Sequence, residues 1–235
     1  DKLNIDDMGY LYRNNLFSGG ANVSYSRTDF AEDSPVLSRS YSWDFWSENN
    51  ADGETIDNSF VLFFMQRFKD TSSIHLNIFT DSEGIDDDVT RGSLSAPFLE
   101  SGKGLATDFS YNTRIIGKWQ ADLNVHAQKK DRLSFTERTR RVSTGIRYFP
   151  SDNLRFFLKI SHTKTNNWFI WRSDNHYATY RSRNTTIKLN SRWYPDDRQE
   201  LQVKLEMVAF RNQDGKGWTA DTLGYLNSLG TSASS

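Results

Sequence analysis

Polar and apolar positions alternate one by one along much of this chain. Residues 17 to 27 read Phe, Ser, Gly, Gly, Ala, Asn, Val, Ser, Tyr, Ser, Arg, with apolar or small residues at odd positions and mostly polar ones between. Side chains of a strand point to opposite faces in turn, so such a stretch makes one apolar and one polar face. The same period returns at Leu105, Thr107, Phe109, Tyr111 and Ile115. It returns again at Trp119, Ala121, Leu123, Val125 and Ala127, where Gln120, Asp122, Asn124 and His126 fill the places between. The pattern predicts strands over about 16–27, 36–46, 58–69, 73–81, 104–116, 117–129, 133–149, 153–164, 178–194 and 199–211, with little helical periodicity. Turn chemistry separates several of them, at 49–53 (Asn-Asn-Ala-Asp-Gly), 149–153 (Phe-Pro-Ser-Asp-Asn) and 194–198 (Tyr-Pro-Asp-Asp-Arg). Longer polar connections are expected over 81–103 and 165–177.

Each alternating stretch is about as long as a tilted strand needs to cross a bilayer, roughly 9 to 11 residues. The expected fold is therefore all-β: an antiparallel up-and-down transmembrane β-barrel of the outer-membrane type, here a fragment of about ten strands. A large soluble β-sandwich would show similar strand spacing. Composition favours the barrel, because aromatics make up 14% of residues while the total hydrophobic share is only 36%. A barrel with a wet interior needs apolar residues only on its outer face. No stretch approaches the ~20 apolar residues of a spanning helix. Rings bunch at expected strand ends, with Tyr41, Trp43, Phe45 and Trp46 at one and Trp193 and Tyr194 at another, as an interfacial girdle requires.

The absence of cysteine excludes disulfides and thiolate chemistry. The net charge of −1 hides a division: residues 1–128 carry 10 Lys and Arg against 20 Asp and Glu, and residues 129–198 carry 16 against 6. One reading is chance clustering on solvated faces; the other is a lumen with one acidic and one basic wall, which would act on charged solutes. The chain starts at Asp1 without a charged-then-apolar leader, as expected after processing or for an excised piece. It ends in a polar tail over 227–235, whereas bacterial barrels usually finish on a strand with a terminal aromatic, so closing strands are expected to be missing.

Three segments, in order, carry a likeness: Met8-Gly9-Tyr10-Leu11-Tyr12-Arg13-Asn14-Asn15, Ile85-Asp86-Asp87-Asp88-Val89-Thr90-Arg91-Gly92, and Asn190-Ser191-Arg192-Trp193-Tyr194-Pro195 before Glu200-Leu201-Gln202-Val203-Lys204. Together they resemble the C-terminal β-barrel region of bacterial outer-membrane proteins of unassigned function that begin with a domain like the family-nine carbohydrate-binding modules. The resemblance implies residence in the bacterial outer membrane and an upstream sandwich domain through which glycan would be bound. It supplies no catalytic residues.

Alternation assigns Asn22, Asp44, Asp108, Asp122, Lys188 and Arg192 to the lumen, where their opposed charges would set selectivity. A one-residue slip would invert the assignment for any strand. In the connection after residue 81, Asp86, Asp87 and Asp88 with Arg91 are candidates for a loop constriction, Arg91 folding in to pair with an acidic wall. The oxygens of Asp81, Glu83, Asp86 and Asp88 also suit calcium, although the spacing departs from the twelve-residue calcium loop and a solvated turn explains it as well. Trp43, Trp46, Trp168, Trp171, Trp193 and Tyr194 are girdle or sugar-stacking candidates. The basic run Lys129, Lys130, Arg132, Arg138, Arg140 and Arg141 suits lipopolysaccharide phosphates, lumenal anions, or simply a hydrated loop. His75, His126, His162 and His176 lack metal-ligand spacing, and no phosphate loop, dinucleotide fingerprint or Gly-x-Ser-x-Gly occurs. The expected role is a pore or membrane platform without cofactor or reaction, in contact with membrane lipid, lipopolysaccharide and an envelope protein partner. Nucleic acid is not expected of a neutral chain. The alternatives are a sealed anchor for a carbohydrate-binding domain and a soluble carbohydrate-active β-protein.

Overall fold

The computed structural model describes residues 16–86, 89–90, 98–132, 134–196 and 198–229. Ten long strands follow one another in an antiparallel meander: β1 (Leu16–Arg27), β2 (Val36–Asn50), β3 (Thr55–Phe68), β4 (Ser73–Asp81), β7 (Gly104–Asn112), β8 (Trp119–Arg132), β9 (Phe135–Ser151), β10 (Leu154–Ser173), β11 (His176–Asp196) and β12 (Gln199–Ala220). The short β13 (Leu226–Ser228) pairs with the end of β12 and completes an eleven-stranded sheet. A separate hairpin, β5 (Gly84–Asp86) with β6 (Leu99–Ser101), lies in the β4–β7 connection. The expected segment 165–177 is not a loop: β10 continues to Ser173 and β11 begins at His176. Its aromatic residues sustain the ladder past the bulge between Thr165 and Trp168.

Strand pairing converts the alternation into two faces. On one lie Phe17, Val23 and Tyr25 of β1, Tyr41, Trp43 and Phe45 of β2, Leu123 and Val125 of β8, Val142 and Ile146 of β9, Leu158 and Ile160 of β10, and Leu205 and Met207 of β12. Apart from half-buried Tyr41 these side chains are exposed, Phe17 by 68% and Met207 by 61%, so the sheet has its apolar face outward with no layer of described residues over it. The opposite face carries most of the polar residues, though β3 and β4 place Val61, Phe63, Met65 and Phe79 there. Phe63 and Phe79 meet edge to face at 6.0 Å.

The expected barrel is not closed over the described residues. β1 pairs only with β2, and β12 has a partner on its outer side only where β13 meets Trp218–Ala220. Between Gln199 and Lys216 the β12 edge is therefore open among the described residues. An open edge leaves ladder N–H and C=O groups unpaired, which a barrel avoids by pairing its first and last strands.

The two ends of the sheet differ. At the near end, connections are short, none longer than the eight residues between Arg27 and Val36. The Lys69–Ser72 turn shows how they are fixed: Thr71 takes a left-handed backbone at φ 73°, and Asp70 Oδ1 accepts bonds from Ser72 Oγ at 2.6 Å and Ser72 N at 3.0 Å. At the far end, β10 to β12 outrun their neighbours and the 22-residue β4–β7 connection docks on them. Leu99 is fully buried there among Phe169, Tyr177, Trp218, Ala220 and Leu226, and Arg132 stacks over Phe169 at 4.5 Å. Glu100 N donates to Gly224 O and Gly102 N to Asp131 O, at 3.2 and 2.9 Å. Two residues span at most about 7 Å, whereas β8 and β12 in a flat sheet would stand four strand spacings, roughly 19 Å, apart. The far end of the sheet and its turns therefore fold in around the hairpin.

Two predictions follow from these end structures. The Ser72 hydroxyl, and then its N–H, hold the Asp70 carboxyl below its ordinary pKa of 3.8. With the folded pKa below the unfolded one, this support is complete above about pH 4 and is lost as pH falls through the folded value. Hydrogen exchange at the Ser72 amide, corrected for its intrinsic rate, should show protection falling away in acid, and Asp70→Asn should abolish that pH dependence. At the other end, Leu99→Ala should cost about 2–5 kcal/mol of local stability. Limited proteolysis should then cut the β4–β7 connection faster while the sheet spectrum is unchanged; equal cutting rates would place the hairpin's anchorage elsewhere.

Candidate functional site: the concave polar face

Strand register brings the predicted polar positions onto one face. Asn22 lies directly opposite Asp44, and Asp122 shares a cross-strand row with Gly145, Lys159, Lys188 and Glu206. Asp108 stands opposite His126, which stands opposite Arg141, and Arg192 lies two positions beyond Asn190 on the same side of β11. All six lumen candidates thus project from the same face. The surface there is concave: one cavity of about 350 Å³ is lined from β4 to β10, His75 to Lys159, and a second of about 370 Å³ from β9 to β12, Arg141 to Glu206.

Charge is divided across this face by strand. Asp44, Asp57, Asp81, Asp108 and Asp122 outnumber Arg67 and Lys130 over β2 to β8, while Arg141, Arg147, Lys159, Lys188 and Arg192 outnumber Glu137 over β9 to β11. The two halves meet at β8–β9, where Arg147 Nη1 approaches Asp122 Oδ1 at 3.2 Å. Asp122 is only 6% exposed and accepts from Asn124 Nδ2 at 3.1 Å, while the Arg147 approach is an ion pair without an aligned hydrogen bond. Gly145 makes room for it, since a Cβ there would lie 2.4 Å from Asp122 Oδ1. His126 Nδ1 and Asp108 Oδ1 are 2.8 Å apart, Lys188 Nζ pairs with Glu206 at 3.0 Å, and Arg192 Nε lies 3.8 Å from Glu200. Asn22 Nδ2 donates to both Asp44 and Ser42.

The other candidates separate. Asp86 meets the wall in the opposite sense to the expected constriction: its carboxylate accepts from Val89 N at 3.1 Å and lies 3.7 Å from Arg132, so the acid is on the loop and the base on the strand. Asp87, Asp88 and Arg91 lie outside the described residues, as does the 8–15 segment. The calcium candidates face different partners: Glu83 is 3.7 Å from Lys103, Asp86 turns to Arg132, and Asp81 lies against Gly104. Among the described residues no three His, Asp or Glu side chains are grouped to hold a metal.

The predicted ring bunches form only in part: Tyr41 and Trp43 stack at 6.0 Å with Phe45 on the same face. Trp43 is on the apolar face, but Trp46, three positions on, is on the polar face with its indole N–H on Glu48 at 2.8 Å. Likewise Trp193 and Tyr194 part company, and Arg155 stacks over the Tyr194 ring at 5.6 Å. Trp168 and Trp171 sit in the far-end extension, Trp168 edge-on to Phe210 at 5.7 Å and Trp171 against the Leu99 cluster. Alternation separates adjacent rings, so closeness in sequence misleads. The belt that does form joins rings from different strands near the short-turn end of the apolar face. Tyr25, Tyr41 and Phe64 are cross-strand neighbours, and Trp119, Tyr148 and Phe156 stack in series at 4.2 and 6.4 Å.

No family model matches the chain, no curated protein matches it, and no solved structure matches it. Charged residues of the polar face that sequence reading passed over are Arg147, Lys159 and Glu206, whose place there follows only from cross-strand register. Their signal was available in principle, because each keeps the two-residue period of its own strand.

Gly145→Ala should destabilise the sheet by about 1–3 kcal/mol through the crowded Asp122 carboxylate. A double-mutant cycle with Asp122→Ala should recover most of that cost. Additive effects in the cycle would mean that the glycine serves something other than this carboxylate.

Proposed function

We propose that this sheet is the greater part of the wall of a bacterial outer-membrane β-barrel, its concave face lining an aqueous lumen through which charged solutes pass. The observation that carries the reading is the largely one-sided exposure of apolar side chains on nine of the ten long strands, with a ring belt at one border, though Trp46, Val208 and Phe210 are exposed on the polar face. Water is a poor solvent for such a face, and lipid is a good one. Short turns at one end and an elaborated far end fit the same arrangement, with the short turns periplasmic. The resemblance noted from the three sequence segments points the same way and adds an upstream glycan-binding domain. Closure is supplied by strands that pair with β1 and β12, from further residues of the same protein or from a partner.

Within that reading, the divided charge of the polar face makes the lumen selective rather than inert. A second version, a sealed platform or anchor, is favoured by the far-end hairpin, where Leu99 packs into the cluster and Asp86 faces Arg132. Conductance of the full-length protein in planar bilayers separates the two. A pore gives stable, salt-dependent steps, and Lys188→Gln with Arg192→Gln should move its ion preference toward cations, since Glu206 and Glu200 lose their partners. Steps with unchanged preference would remove these residues from the conducting path, and silence would favour the sealed anchor.

A further inference from the structure

The basic run read along the sequence is divided by strand geometry into two sets. Lys130 and Arg141 join the polar face, whereas Lys129, Arg138 and Arg140 join the apolar one. On that apolar face, Arg140 of β9 is directly opposite Lys164 of β10, Lys164 opposite Arg183 of β11, and Arg183 opposite Arg211 of β12. Four cations on four adjacent strands thus form one cross-strand row, with the Lys129–Arg138 pair beside it. The row spans about 14 Å at ordinary strand spacing. It stands at the border of the apolar band: below Arg140 come Val142, Thr144 and Ile146, and below Arg211 come Ala209, Met207 and Leu205. All four side chains are exposed.

Like charges directly opposite on one face repel, and strands usually avoid them. Here little on the chain compensates. Among the described residues Arg140, Lys164 and Arg183 form no ion pair, and the nearby carboxylates are engaged elsewhere, Asp131 with Lys129 at 2.7 Å and Asp214 with Arg181 at 3.0 Å. A row of unneutralised cations beside a lipid-facing apolar band calls for an anion that arrives with the lipid. The row is also on the far-end side of the band, away from the short turns. On the barrel reading, on which this inference rests, that side is the outer leaflet.

We propose that Arg140, Lys164, Arg183 and Arg211 form a docking site for the phosphorylated headgroup of lipopolysaccharide. The guanidinium groups of Arg140, Arg183 and Arg211 offer forked donors that match phosphate oxygens, and the acyl chains of the same lipid cover the band below. At the short-turn end Arg27 and Arg39 also stand opposite one another, but among the described residues they are engaged: Arg27 pairs with Asp29 at 2.9 Å, Arg39 donates to Gln66 at 2.8 Å, and both stack on Phe30.

The test uses the full-length protein in detergent, binding fluorescently labelled lipopolysaccharide and the same lipid after enzymatic dephosphorylation. The wild type should bind the phosphorylated form more tightly. Replacing all four residues, as R140Q/K164Q/R183Q/R211Q, should weaken that binding roughly tenfold or more. The charge-retaining R140K/R183K/R211K variant should keep most of it, and R27Q/R39Q should leave it unchanged. Millimolar inorganic phosphate should fail to displace the lipid; efficient displacement would make this a free-phosphate site and overturn the lipid assignment. Equal binding of the dephosphorylated lipid, or wild-type affinity in the quadruple glutamine variant when that variant inserts into vesicles normally, would also overturn it. Vesicle insertion, read by protease protection, is scored separately. A wild-type chain that inserts without preferring phosphorylated lipid refutes the cation row alone, and a chain that does not insert refutes the barrel reading with it.

Discussion

Everything in this molecule depends on keeping a two-residue alternation in phase across ten strands. The register carries Val23 opposite Trp43, Trp43 opposite Leu62 and Leu62 opposite Ile78, so side chains chosen independently on four strands arrive on one side. A slip of one residue in any strand would bury charge in the apolar face and expose rings on the polar one. The penalty for such a slip is what specifies the register, and it exists only if the apolar face is in an apolar medium. Among the described residues no protein layer covers Phe17, Val23, Leu205 and Met207, and on the proposed reading lipid supplies that medium.

Freed from core packing, the other face bears charge in an ordered way. A mainly acidic half over β2 to β8 and a mainly basic half over β9 to β11 meet at Asp122 and Arg147 beside a glycine that leaves room for the carboxylate. An ion pair of this kind contributes little net stability, because desolvation of the buried Asp122 offsets attraction. The far end departs from the regular pattern. Bulges between Thr165 and Trp168 and between Thr179 and Arg181 break the phase. Beyond them the strands build a small soluble-type core around Leu99 and Tyr177. On the proposed membrane reading, the sheet joins two solvents along its own length, a lipid-like one over its middle and water with a compact core at its far end.

Much of the sheet was legible in the sequence because alternation is local. β1 and β4 were predicted to their ends, and the other eight long strands were found with shifted borders, since turn residues such as Asn-Asn-Ala-Asp-Gly mark where a ladder stops. What misled was any inference from neighbours along the chain. Trp43 with Trp46, Trp193 with Tyr194, and Arg140 with Arg141 read as clusters but sit on opposite faces, whereas Trp119, Tyr148 and Phe156 are distant in sequence and stack. The segment 165–177 read as a polar loop because its charges and rings follow no clean period; bulges absorb that irregularity while the ladder continues. The far-end core was illegible because it needs contacts between β9, β12 and a hairpin some 40 to 120 residues earlier in the chain.

On the proposed reading, the face bearing Leu123 and Val125 contacts hydrocarbon and the face bearing Asn124 and His126 contacts water. The chain has no cysteine, so single-cysteine nitroxide labels at residues 121 to 127 can be introduced without background. In the full-length protein reconstituted into vesicles, collision with oxygen should peak at 121, 123, 125 and 127. Collision with a water-soluble nickel chelate should peak at 122, 124 and 126. Two opposed oscillations of period two are the predicted result; chelate access equal on both faces would contradict it.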